Sequence, residues 1–237
     1  MPAPPPESIV VEASDGHFRA RLPDGRALKG TLRSLAARLD AAILSEALAA
    51  DAATSVLSAA LLRDPGGKRV AMLGKRKTGK SWLSVELLRA GWRFEGDALA
   101  WARPKGLIAQ PRTLRLYDSL RGLPPAWREF CRTCPCLPDI GGQEVRAVDP
   151  RVFGGDWTID VGGLDAILFL ELNPGGRGAL RPLDMTRAFR ALLDVTYGGN
   201  VGRSAALLRG LISTTPVYRL RIGALDEAAD HVARALY

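Results

Sequence analysis

The sequence predicts an α/β fold with a small β/α appendage at its N-terminal end. Three observations carry this. The apolar run Val70–Leu73 passes through a Gly/Lys-rich turn straight into helical spacing at Trp82, Leu83, Leu87 and Leu88. A second apolar run, Asp165–Leu172, has strand length and is followed by two helical patterns. Residues 8–30 alternate in short segments cut by Asp15-Gly16 and Pro23-Asp24-Gly25, which reads as a small antiparallel unit. At 237 residues the chain suffices for one sizeable domain plus such an appendage.

Taken in order, residues 1–7 are Pro-rich and expected to form a disordered tail. Strand patterns at Ser8–Glu12 and His17–Leu22 precede an Ala/Leu-rich helix from Leu32 to about Ala50, with Leu32, Leu35, Leu39 and Ile43 at helical spacing. Together they set a first unit at 8–52 and leave 53–237 as the main domain. Ser55–Leu62 is apolar but too short for periodicity to decide its type, and Asp64-Pro-Gly-Gly67 is a strong turn. The helix after the Gly/Lys turn ends near Gly91. From Asp97 to about Asp160 the chain is rich in Pro, Gly and Arg, and loops with short strands are expected. Pro174-Gly-Gly176 breaks the strand Asp165–Leu172. Helices follow at Met185, Phe189, Leu192 and Leu193 and at Ala205–Ile212, then an alternating strand at Val217–Ile222. A closing helix, Leu225–Leu236, has Leu225, Ala229, Val232 and Leu236 on one face and Asp226 and Glu227 at its N-terminal end, where the helix dipole favours acids.

Composition is that of a globular domain, and the apolar stretches are far too short to span a bilayer, so no membrane partner is expected. The first residues lack a basic and apolar leader pattern, which makes the cytoplasm the expected compartment. The net charge of +8 attracts anions. The arginines are scattered from Arg19 to Arg234, and neither a zinc-finger spacing nor an RNA-recognition motif occurs, so nucleic acid is not an expected partner. Three cysteines in one run, Cys131, Cys134 and Cys136, argue against a disulfide framework. One C-x-x-C without a second pair points to a redox-sensitive or structural loop more than to zinc, which wants four ligands in structural sites.

Gly74-Lys75-Arg76-Lys77-Thr78-Gly79-Lys80-Ser81 matches the phosphate-loop pattern G-x-x-x-x-G-K-[ST]. The glycines let the backbone curl so that amides point at phosphate oxygens, and the following helix N-terminus adds positive potential. Lys80 would reach the terminal phosphates and the Ser81 hydroxyl would ligate Mg²⁺. A strand before and a helix after the loop supply the context this mechanism needs, so Mg-ATP is the expected ligand.

The stretch from Gly79 through Arg89 and Gly91 to Asp97 resembles the HPr kinase/phosphorylase family, in which a basic-x-Gly turn and a short strand deliver an acidic pair at a fixed distance from the loop lysine. Gln110–Leu116 is similar to that family's Pro-rich return strand, and Pro216–Asp226 resembles the C-terminal part of its smaller relatives. The resemblance covers residues 55–125 well and 160–237 loosely. It implies a P-loop domain of the HPr kinase/phosphoenolpyruvate-carboxykinase type with a mixed sheet. It also implies an ATP- and Mg²⁺-dependent phosphotransferase acting on a hydroxyl of a protein, peptide or small molecule, and a homo-oligomer. Asp97 would be the catalytic and metal-binding acid beside Lys80, and Arg112 and Arg115 would hold phosphate oxygens if the return strand passes beside the loop. The family's acidic pair is Asp-Asp, whereas here it is Asp97-Ala98, with Glu95 or Glu171 as candidate substitutes. The segment that grips HPr is not recognisable, so HPr itself is not the expected acceptor. Two other readings stay open: an ATP-binding module without phosphotransfer, favoured by Ala98, and a generic P-loop ATPase using Glu171 at the end of its apolar strand.

The five tryptophans, Trp82, Trp92, Trp101, Trp127 and Trp157, are spread out and expected to pack on the core. His17 is expected to be solvated. The pairs Gly154-Gly155, Gly162-Gly163 and Gly175-Gly176 suit either turns or a lid over the nucleotide.

Overall fold

The computed structural model of the chain describes residues 8–50, 55–104, 106–117, 125–139, 143–153, 157–197 and 201–237. The N-terminal tail 1–7, Gly154-Gly155 and the boundary at 52/53 lie outside them. In chain order the elements are β1 (Val10–Ser14), β2 (His17–Arg21), β3 (Ala27–Gly30) and α1 (Leu32–Ala50). Then come β4 (Val56–Leu57), β5 (Ala59–Arg63), β6 (Arg69–Leu73), α2 (Lys80–Arg89), β7 (Arg93–Gly96), β8 (Ala100–Arg103), β9 (Gly106–Ala109) and β10 (Leu114–Tyr117). They are followed by α3 (Pro125–Thr133), β11 (Cys136–Pro138), β12 (Glu144–Val148) and a 3₁₀ turn at Pro150–Phe153. The last are β13 (Ala166–Leu172), β14 (Ala179–Pro182), α4 (Met185–Asp194), β15 (Thr196–Tyr197), α5 (Val201–Ser213), β16 (Val217–Ile222) and α6 (Leu225–Arg234).

The chain folds as two compact units, Met1–Asp51 with Tyr117–Ala147, and Ala52–Leu116 with Val148–Tyr237. Residues 117–147, weakly patterned in sequence, belong with the N-terminal segment. Part of that stretch is a helix, α3, where loops and short strands were expected.

In the first unit, β1, β2 and β3 form an antiparallel meander. Its first hairpin turns on Asp15 (φ 48°) and Gly16 (φ 76°), the two positive dihedrals that a two-residue turn matched to strand twist requires. Helix α1 packs on β2 and β3, with Leu35 buried on its inner face. The β11–β12 pair is tied to the same helix: the Arg33 guanidinium donates to the Cys136 carbonyl (2.7 Å) and the Glu144 carboxylate (3.2 Å).

The second unit is built on a six-stranded mixed sheet in the order β14-β16-β13-β6-β5-β7. β6, β13 and β16 run parallel, and the outer pairings are antiparallel. All five residues of β6 are buried, as expected for a central strand covered on both faces and written as a near-continuous apolar run. Ser55–Leu62, undecided in sequence, supplies β4 and β5. One face of the sheet, with Leu61, Ala71, Leu73, Ile167 and Phe169, packs on α4, α5 and the small sheet β15-β4-β8-β9 in one core that includes Leu192 and Leu208. α2 packs against β5 and α6, and α6 against β16. Each Leu buried in such a core contributes roughly 1.5–3 kcal/mol. Among the described residues no helix is long and apolar enough to cross a membrane.

Candidate functional site

β6 delivers the chain to Gly74, whose carbonyl accepts hydrogen bonds from the Ser58 hydroxyl (2.7 Å) and the Lys80 ammonium (2.5 Å). Lys80 Nζ also donates to the Lys75 carbonyl (2.9 Å), and the Thr78 hydroxyl closes on the same carbonyl (2.8 Å). The segment thus curls around its own lysine. Lys77 (φ 66°) and Gly79 (φ 92°) take the left-handed conformations that the curl needs. At Gly79 a side chain would also stand only 3.2 Å from Leu172 and 3.3 Å from Ile222, so the position demands glycine twice over.

Lys80 opens α2 and is only 7% exposed. Burial lowers its basicity, because a desolvated ammonium is disfavoured, while the Asp97 carboxylate pulls the other way. Lys75, Arg76 and Lys77 are exposed, and Thr78 and Ser81 are half-buried. The Ser81 hydroxyl donates to Asp97 Oδ2 at 2.6 Å.

Asp97 reaches that point through a short, well-determined path. α2 stops in a Schellman turn: Gly91 (φ 87°) donates to the Leu88 carbonyl and Trp92 to that of Leu87. β7 then pairs with β5 through a register irregularity between Leu61 and Leu62. At its end Gly96 lies flush against the Gln110 backbone, and a Cβ there would sit 2.2 Å from the Gln110 carbonyl oxygen. Only glycine permits this approach, which brings the start of the return segment beside the acid. Asp97 is 2% exposed, and its Oδ1 accepts from the Ala98 amide (2.7 Å).

Ala98 has φ 80°, a conformation that costs an L-residue roughly 1–2 kcal/mol. It is held by the Ala59 amide, which donates to the Ala98 carbonyl (3.2 Å). Ala98→Gly is expected to raise stability by about 0.5–1 kcal/mol, the relieved strain less the added freedom of the unfolded chain. Denaturant melts of the two proteins check this.

The other acids are engaged elsewhere. Glu95, fully buried, receives Arg69 Nε at 2.9 Å and pairs with Arg63 Nε at 2.9 Å. Its oxygens are taken by two guanidinium groups, so it does not stand in for a second metal acid. Glu171 is half-exposed beside Arg221 (3.4 Å) and Arg219 (3.8 Å). Arg112 and Arg115 are both half-buried, Arg115 on β10. The amide of Gln110, two residues before Arg112, donates to the Leu99 carbonyl (2.8 Å).

Cys131, Cys134 and Cys136 are free thiols, the first buried. Burial pushes the Cys134 thiol above its ordinary value. Among the described residues no group of three or more His, Cys, Asp or Glu gathers to hold a metal. Trp92 is buried; Trp82, Trp101 and Trp157 are half-buried; the side chain of Trp127 is outside the described residues. His17 is exposed.

Sequence reasoning missed Ser58, which ties the strand before β5 to the loop, and the pair Arg69–Glu95. The signal for the pair was present: a charged residue at each of two positions flanked by buried apolar ones, Arg69 before Val70 and Glu95 after Phe94.

No family model matches the chain, and no curated protein matches it. Among solved structures it is similar to the Hpr(Ser) kinase/phosphatase from Coxiella burnetii, with 14% identity over 76% of this chain and 90% of that one and a TM-score of 0.36. A likeness at that level carries no argument about family or activity.

Proposed function

We propose that this chain is an ATP-dependent phosphotransferase acting on a hydroxyl group, with the second unit a P-loop domain of the HPr kinase/phosphoenolpyruvate-carboxykinase type. The observation that carries the reading is the 2.6 Å hydrogen bond from Ser81 to Asp97 beside a buried loop lysine. A hydroxyl and a carboxylate in direct contact are the hard oxygen donors that Mg²⁺ prefers, so Ser81 and Asp97 fit the ion. When bound, Mg²⁺ would neutralise charge on the phosphate oxygens.

The chain's own residues would do the rest by positioning. The amides of Lys75–Lys80 would orient the phosphates at the N-terminus of α2. Lys80 would exchange the Gly74 and Lys75 carbonyls for phosphate oxygens. In transfer, the acceptor oxygen bonds to the γ-phosphorus as the bond to the β–γ bridging oxygen breaks. ADP leaves with that electron pair, and the acceptor proton passes to the Asp97 carboxylate. HPr itself is not the proposed acceptor.

A second reading, ATP binding without transfer, is favoured by one observation: Ala98 stands where the resembled family has its second aspartate. Asp tolerates the left-handed conformation better than Ala, so Ala98→Asp is sterically admissible and would supply the missing carboxylate.

The test is Mg-ATP binding and γ-phosphate release by the purified protein. Asp97→Ala is expected to lower turnover by about 10²–10⁴-fold, while Glu171→Gln leaves it within threefold. Turnover that survives the first change and dies with the second would make the chain an ordinary P-loop ATPase. Binding with no turnover in the wild type, and turnover gained by Ala98→Asp, would favour the binding module.

A further inference from the structure

At the carboxyl ends of the parallel strands the sheet carries a row of arginines that the chemistry above does not use. The registers Leu73↔Phe169 and Phe169↔Arg219 put Arg219 level with the last residue of β6, and Arg221 pairs with Glu171 one step beyond. On the outer side, Arg181 of β14 stands directly opposite Arg219. Side chains alternate along a strand, so Arg219 and Arg221 share one face while Leu220 and Ile222 are buried on the other. Arg181 is exposed, and Arg219 and Arg221 keep 44% and 46% of their side-chain surface.

Two like charges directly opposite across a strand pair repel. Among the described residues the carboxylate paired with this cluster is that of Glu171, 3.8 Å from Arg219 and 3.4 Å from Arg221. Among the described residues the cluster therefore has a surplus of two positive charges on exposed side chains. Strand spacing puts Arg219 about 10 Å from the end of β6, two strands away, and Arg181 one strand further out.

From this juxtaposition we infer that Arg181, Arg219 and Arg221 form a docking strip for an acidic peptide segment that presents its acceptor hydroxyl to the loop. The spacing selects the occupant. Arg219 and Arg221 are two residues apart on one strand, roughly 7 Å, which matches carboxylates at alternate positions of an extended peptide. A guanidinium fork binds a carboxylate in two-point fashion, and Glu171 already shows that the pair accepts one. Glu171 acts as an internal competitor that the peptide displaces. The purpose assigned to the strip rests on the phosphotransferase reading, but its measurement does not.

The experiment uses two fluorescent peptides, one with glutamate at alternate positions around a serine and one with glutamine in their place, titrated without nucleotide. ATP affinity is measured on the same preparations. The glutamate peptide is expected to bind at least tenfold more tightly than the glutamine peptide. Arg219→Gln/Arg221→Gln should lose at least tenfold with unchanged ATP affinity and melting temperature, and Glu171→Gln should gain threefold or more. Equal binding by the double variant would mean that the net charge alone attracts the peptide, and would overturn the strip. So would no gain in Glu171→Gln, or displacement by inorganic phosphate at concentrations as low as the peptide's own, which would mark a compact anion site. Failure to bind ATP, with the peptide results as expected, would sink the phosphotransferase reading and leave the strip standing.

Discussion

Lys80→Met is expected to reduce γ-phosphate turnover by about 10²–10³-fold, the loss seen when one preorganised charge-stabilising donor is removed. It should also weaken Mg-ATP binding. The same change should leave the apo protein melting no lower than wild type. Lys80 is buried and its basicity is lowered by desolvation, so in the apo state the ammonium costs stability. The two carbonyl hydrogen bonds to Gly74 and Lys75 offset part of that cost. The sign can be checked by pH. A lysine whose folded pKa lies below its unfolded value carries its full cost at lower pH. It loses that cost as pH rises from the lowered folded value towards the ordinary lysine range near 10.4, because the unfolded chain binds more protons there. Wild-type stability should therefore gain on Lys80→Met as pH rises through that window. A gap that stays constant with pH would show that desolvation of Lys80 does not set it. A variant that melts well below wild type would show that the carbonyl contacts outweigh desolvation. In either case turnover by Lys80→Met equal to wild type would remove the loop from the reaction altogether.

The central strand and the loop were legible because their signals are local. Val70–Leu73 is a continuous apolar run, and the curl from Gly74 to Lys80 is written in two glycines and a lysine whose positions the backbone dictates. The path to Asp97 was also readable, since Gly91 marks the helix stop and the strand after it has almost no freedom in length. The residues between 97 and 160 were not. β8, β9 and β10 are four residues each, too short for alternation to rise above composition. α3 is only nine residues long and mixes Trp127, Phe130 and Cys131 with Arg128, Glu129 and Arg132, so it is too short for helical periodicity to stand out from a Pro- and Arg-rich stretch. That 117–147 belongs with the N-terminal unit follows from contacts distant in sequence, such as Arg33 with Cys136 and Glu144, which no window of the chain can show. The conformation of Ala98 was invisible for a related reason: a positive φ at a residue other than glycine is imposed by its surroundings, here the Asp97 side chain on one side and Ala59 on the other.

Arg69→Met is expected to destabilise the protein by about 3–5 kcal/mol, the cost of leaving a buried charge without its principal partner, and to lower the melting temperature by on the order of 10 °C. Arg69 is 1% exposed, and Glu95 is fully buried. Beyond the carboxylate, its guanidinium donates to three carbonyls, those of Gly162 (2.5 Å), Leu107 (2.8 Å) and Asp160 (2.9 Å). Its backbone bonds Asp165 in both directions, with the amide donating to the Asp165 carboxylate (2.7 Å) and the carbonyl accepting the Asp165 amide (2.8 Å). One side chain therefore joins β6, β7, β9 and the segment leading into β13, and Trp157 adds a bond from its indole to the Glu95 carbonyl (3.1 Å). Glu95 is two residues before Asp97, so the pair fixes the strand that aims the acid at Ser81. Because a buried ion pair must first lose its water, the pair itself need not be worth much net. Arg69→Met/Glu95→Leu should therefore recover at least half of the stability that the single change loses, although the three carbonyls lose their donor and Arg63 keeps, among the described residues, only Asp160 and Gly67. Turnover separates the two roles. If the pair merely stabilises, the double variant regains activity in proportion to its folded fraction. If it also aims Asp97, the double variant folds but its turnover stays at least tenfold below wild type at saturating ATP, while Mg-ATP binding, governed by the loop, is preserved.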